Sequence, residues 1–313
     1  MTRAGDARGS QLVALDDGAG VTAVLSPRAA SVRALEVGGV AIVEPTAHRL
    51  RPPGMSGAVL VPWPNRVEDA WWTHEGRVER LAVTEPELGH ALHGLLADED
   101  YRVERIGGGS VSFGARVREP AGYPFRLDVR VAYRLVAEGL AARIEVENRG
   151  SAAAPVAIGA HPYLRIGDVP SSELRVSIDA DHEWELDDRH IPRTRRTAAR
   201  VAPRSAWPAN AIGHALFERD AGARGEVVHT LGAPDGRRVE LRADAALRWT
   251  QWYVDRALDT ARGKRYAVAL EPMSAPPNAL RTGLGIRWIA PAECVDWNWS
   301  IRLRGAPDPG EAA

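Results

Sequence analysis

The 313-residue chain has one cysteine, three phenylalanines and, at Lys264, one lysine. A lone Cys294 forms no internal disulfide, and no Cys-x-x-Cys or Cys/His zinc spacing can be built on it. Charge of one sign is also missing: 40 basic residues face 41 acidic ones, so no field exists to hold nucleic acid or an anionic membrane. No apolar run reaches membrane-spanning length, and the first 25 residues lack the apolar core of a secretion signal, so a cytoplasmic protein without membrane or nucleic-acid partners is expected. No segment keeps a 3.6-residue apolar period for a long helix. With 45% hydrophobic and 26% charged residues, general disorder is excluded as well.

What is present is alternation. Thirty glycines and 22 prolines mark many turns. Val111, Phe113, Ala115 and Val117 alternate with polar or small residues, as a half-buried strand requires. Leu127 to Leu135 and Leu140 to Val146 repeat the pattern on either side of Glu138-Gly139 and read as a β-hairpin. Val295, Trp297, Trp299, Ile301 and Leu303 give a long C-terminal strand. The fold class is therefore all-β, with packed antiparallel sheets forming a large sandwich. We read residues 1–313 as one domain with frayed tails at about 1–10 and 305–313, and residues 189–210 as a surface excursion without period.

Three segments interrupt the strand pattern and concentrate polar groups: Pro62-Trp63-Pro64-Asn65-Arg66 with the later His90-Ala91-Leu92-His93-Gly94, then Gly159 to Leu164, then Leu270 to Ala279. In the second, Val156, Ile158 and Ala160 share a face, leaving Ala157, Gly159 and His161 on the other. In the third, Ala267, Ala269 and Glu271 lie opposite Val268 and Leu270. Each strand thus ends in a titratable residue on a face of small side chains, followed by a proline. A histidine and a glutamate in one cleft are the minimum for acid–base catalysis, although each alone is more often structural. Asn65 and Arg66 are suited to bonding sugar hydroxyls, with the Trp63 indole beneath the ring, and Trp252 is a further stacking platform among ten tryptophans. Glu85, His90 and His93 have the types but not the helical spacing of a metal site, so no metal is expected.

Together, PWPNR, ALHG, GAHPYL and LEPMSAPPNA resemble the motifs of the aldose 1-epimerase (galactose mutarotase) family, in its order and at about its spacing, over roughly residues 20 to 305. The resemblance implies a large β-sandwich that uses no metal or organic cofactor. By motif position it makes Glu271 the catalytic base and His161 the catalytic acid, and it makes Arg66 and His93 sugar-binding groups. The proton of the anomeric hydroxyl would pass to Glu271 while His161 protonates the ring oxygen, opening the ring for reclosure on the other face. One feature departs from the family: its sugar-binding aspartate is replaced by Gly213, leaving His214, Asp220 or a residue near Trp252 as substitutes, or a ligand that lacks the hydroxyl the aspartate holds. The expected activity is anomer interconversion of a free aldohexose such as glucose or galactose by a monomer or homodimer. The alternatives are an epimerase of a hexose 6-phosphate or pathway-specific sugar, and a non-catalytic carbohydrate-binding protein. Few arginines stand near the motifs, so a neutral sugar is expected over its phosphate ester.

Overall fold

A computed structural model describes residues 11–46, 51–197, 206–209, 213–222 and 225–305; the expected frayed tails lie almost wholly outside these. Among these residues, two large antiparallel sheets hold most of the strands, one of twelve strands and one of nine. Among the described residues the α-helix is confined to Ala279–Thr282, and no helix is long and apolar enough to cross a membrane.

The hairpin read from alternation forms between Arg126–Val136 and Gly139–Asn148, closing at Val136 opposite Gly139. Its outer edge pairs with Ser110–Arg118, and its inner strand pairs with the C-terminal strand Cys294–Arg304, at the centre of the nine-stranded sheet. In the twelve-stranded sheet the long strands Trp249–Thr260 and Gly263–Met273 are neighbours, with Gln251 opposite Glu271 and Trp252 opposite Leu270. One hydrophobic core lies between the sheets: Phe217, Trp252, Val268 and Leu270 from one meet Ile144, Trp297 and Ile301 from the other. The face carrying Gln251, Ala269 and Glu271 therefore points away from that core, because strand side chains alternate.

Of residues 189–210, the described parts, 189–197 and 206–209, are more regular than their composition predicts, and the rest lie outside the described residues. Pro192–Thr197 pairs with His182–Leu186, and Ala206–Pro208 pairs with Arg175–Ser177. In Pro192–Thr197, which is largely exposed, backbone pairing satisfies the polar run without a buried side-chain face, so period two is not needed to form it.

Candidate active site

The three polar segments meet on the outer face of the twelve-stranded sheet, and the backbone ties each to the next. Ser274 exchanges two bonds with Ile158: its N–H donates to the Ile158 carbonyl at 2.9 Å, and its Oγ accepts from the Ile158 N–H at 2.8 Å. Asn278 donates its N–H to the Arg66 carbonyl at 2.6 Å, while its side-chain oxygen accepts from the Glu68 N–H. His93 donates its N–H to the Asn65 carbonyl at 2.8 Å, and the His161 N–H reaches the Ala58 carbonyl at 3.0 Å. Segments up to 213 residues apart thus become one rigid frame, as in the bond from Arg281 to the Glu68 carbonyl.

Local backbone strain accompanies this frame. Asn65 and His93 both have positive φ, 55° and 62°, conformations that cost roughly 1–3 kcal/mol each for a non-glycine residue and persist where surrounding bonds fix them. Gly94 is also required: a Cβ there would sit 2.3 Å from the Val61 carbonyl oxygen.

At the centre, Nε2 of His161 lies 3.4 Å from Oε1 of Glu271. Both side chains are buried, and burial raises Glu271 to about 8 and lowers His161 to about 4. Among the described residues, the other polar atoms of the pair, His161 Nδ1 and Glu271 Oε2, are buried without a hydrogen-bond partner. Burial thus disfavours both charged forms, and it favours the neutral carboxyl with a neutral imidazole, one proton shared by the pair, over the imidazolium–carboxylate arrangement that ordinary values would give.

His93 stands edge-on to His161, ring centroids 5.4 Å apart. Its Nδ1 accepts the Asn65 N–H at 3.3 Å, which leaves the hydrogen on Nε2 and makes this histidine a donor when neutral. Burial, reinforced by His161 and Arg66, holds it well below the usual histidine range. The ligand atoms of His93, His161 and Glu271 lie within 4.8 Å of one another, the one histidine–carboxylate group among the described residues that converges tightly enough for a metal. The grouping weighed from sequence does not converge: Glu85 turns to Arg66, and His90 accepts the Asp69 N–H at its Nδ1.

Arg66 is held as a fork, its Nε and Nη2 each donating to Glu85 at 2.7 Å. Its remaining Nη1 faces Asn65 Oδ1 and His214 Nε2, both at 3.3 Å. Asn65 in turn donates to Oε1 of Gln251 at 3.4 Å, and Gln251 donates to the Ala215 carbonyl at 2.7 Å. Of the substitutes for the absent aspartate, His214 is in the site, its ring tilted against His190 at 4.3 Å and edge-on to Tyr253 at 5.6 Å, with burial lowering it to about 3. Asp220 is elsewhere, bonded to His182 and Arg195.

The two proposed indole platforms are corrected. Trp252 is fully buried on the opposite face, 6.5 Å from Phe217 in the inter-sheet core, and Trp63 packs against Tyr123 at 6.0 Å. Aromatic rings on the site face come instead from Tyr163 and Tyr253, 5.1 and 6.3 Å from His161. Sequence reading missed Gln251 and Tyr253, and it weighed Glu85 as a metal ligand rather than as the partner of Arg66. For the first two a signal was present, since they take the phase opposite to Trp252 and Val254 within one strand. For Glu85 there was none, because its partner is 19 residues away across a loop.

An aldose 1-epimerase family model matches residues 11–293. The YihR protein of Escherichia coli K12 is 30% identical over 253 residues, 79% of each chain. Among solved structures, the aldose epimerase homologue from C. elegans superposes with TM-score 0.81 at 16% identity, covering 95% of this chain and 100% of that one. A galactose mutarotase-like protein from Clostridium acetobutylicum gives 0.79 at 16% identity, covering 95% and 96%. A galactose 1-epimerase from Lactobacillus acidophilus gives 0.75 at 15%, covering 94% of each. The match along most of the sequence, joined to a two-sheet antiparallel fold, places this chain in the aldose 1-epimerase family.

Proposed function

We propose that the protein is a mutarotase that interconverts the α and β anomers of a free aldohexose such as glucose or galactose. The observation that carries the reading is the His161–Glu271 contact at 3.4 Å, where each partner keeps a second, unpaired polar atom in a buried site. An acid and a base sharing one proton suit a reaction that removes a proton from one sugar oxygen and delivers one to another.

In the free site the shared proton rests on Glu271. A bonding anomeric hydroxyl, together with the nearby Arg66 charge, favours the ionised carboxylate, so the proton passes to His161. Glu271 then takes the hydrogen from the anomeric oxygen while His161 protonates the ring oxygen. The C1–O5 bond breaks, the aldehyde forms, and the pair returns to its resting state with the proton on Glu271. Rotation about C1–C2 and the reverse transfers close the ring as the other anomer. Arg66, Asn65 and His93 supply hydrogen-bonding groups that hold the sugar hydroxyls.

Polarimetry of freshly dissolved α-D-glucose and α-D-galactose tests this directly. Glu271→Gln and His161→Asn are each expected to slow mutarotation at least about 100-fold, the usual lower size of a positioned proton transfer, while still folding. Near-normal turnover in either variant sinks the assignment. The rate should also survive exhaustive chelation; its loss, restored by zinc, would convert the His93–His161–Glu271 cluster into a metal site.

A further inference from the structure

The outer face of the nine-stranded sheet, opposite the face that packs into the core, carries a concavity of about 560 Å³. Small residues form its floor: Ser112 beside Ala132 across one strand pair, and Ala141 beside Ser300 across another. Arginines rise around them. Arg143 and Arg242 are engaged by carboxylates, Arg143 with Glu145 and Asp296, Arg242 with Glu226 and Glu240. Arg105, Arg134 and Arg302 have no carboxylate partner among the described residues, and the Nε of Arg302 is buried without an acceptor. Arg134 sits opposite Ala141, and Arg302 opposite Gly139, on strands two positions apart in the sheet. The two guanidinium stems therefore flank a gap of about 10 Å, two strand spacings, with only Gly139 and Ala141 between them.

Six arginines line the concavity against two carboxylates, Glu226 and Asp244, with Glu240 opposite Arg302 on its other side, so positive charge is in excess there, and such an excess is destabilising by itself. Planar guanidinium forks match phosphate oxygens in pairs, and serine hydroxyls on the floor add donors. The volume is that of a small-molecule site. Extended polyanions are disfavoured, because the same sheet face continues into Glu104, Asp128, Glu145 and Glu147.

We propose that this concavity binds a small phosphorylated metabolite carrying at least two phosphate charges, at a site separate from the sugar cleft and independent of the reaction proposed there. Calorimetric titration of the full chain with inorganic pyrophosphate at about 0.15 M salt tests it, since screening at that ionic strength leaves only close contacts. Saturable binding below about 1 mM is expected, weakened tenfold or more by the Arg134→Ala/Arg302→Ala double variant and unchanged by Glu271→Gln. Arg134→Gln alone, at an exposed position, should weaken it measurably and keeps the test valid if the double variant does not fold. No saturable binding, equal affinity in the arginine variants, loss of binding in Glu271→Gln, or tighter binding of a single-stranded oligonucleotide would each overturn the proposal.

Discussion

Gln251 stands directly opposite Glu271 in the pairing of two long strands, and its side-chain oxygen is held by Asn65 from the first polar segment. The residue beside the proposed base therefore connects that base to the proposed sugar-binding loop. Because Gln251 is fully buried and anchored to the Ala215 carbonyl, it fixes where Asn65 points, and through Asn65 Oδ1 it steadies Nη1 of Arg66.

The pH dependence follows from the buried pair. With His161 lowered to about 4 and Glu271 raised to about 8, the one-proton state spans that interval. Below it both groups are protonated and no base remains; above it both have lost their protons and no acid remains. kcat/KM should trace a bell with limbs near pH 4 and pH 8, the acidic limb from His161 and the alkaline limb from Glu271. This reverses the order that ordinary values would give. A profile already falling above pH 6.5 would show that burial does not reorder the pair.

Stability should carry the same signature. A glutamate whose folded value lies near 8, above its ordinary 4.5, favours the folded state fully below 4.5 and loses that contribution as pH rises through 8. Glu271→Gln has no such loss, so its melting temperature should exceed that of the parent increasingly from pH 4.5 to 8 and then level off. Each pH unit across that window is worth about 1.4 kcal/mol at most. Parallel melting curves for the two proteins across the range would show that Glu271 is not desolvated.

The Arg66–Glu85 fork should separate binding from chemistry. Both side chains are nearly buried, 9% and 13% exposed, so removing one partner leaves a charge without compensation, at a cost of up to about 3–5 kcal/mol. Glu85→Ala is expected to lower the melting temperature and raise KM more than it lowers kcat, since it frees Arg66 without touching the proton-transfer pair. Arg66→Ala and His93→Ala should raise KM and lower kcat together, their bonds being present in both ground and transition states. Unchanged steady-state constants in all three would place the first segment outside the site.

Substrate charge gives a fourth test. Arg66, the guanidinium beside the pair, is already matched by Glu85, and burial lowers His93, His161 and His214 so that they add no positive charge near neutral pH. A phosphate dianion normally needs two or more free cationic groups. α-D-Glucose should therefore be preferred over α-D-glucose 6-phosphate in kcat/KM; a tenfold preference for the ester would reverse that reading.

Period-two alternation alone determined the faces. Because successive strand side chains point in opposite directions, Glu271 had to part from Leu270, and His161 from Ala160, whatever their partners turned out to be. The same rule separates Trp252 from Gln251, and applying it there would have removed the indole from the list of platforms. Four short motifs carried the family, since their order and spacing survive in one dimension. Register and burial were decided only in three dimensions. Gln251 opposite Glu271, Glu85 beneath Arg66 and Asn278 on the Arg66 carbonyl join residues 19 to 212 positions apart, and no local propensity encodes such pairings. The position of the proton within the His161–Glu271 pair depends on how completely the surrounding segments exclude water, a property of the closed frame rather than of either residue.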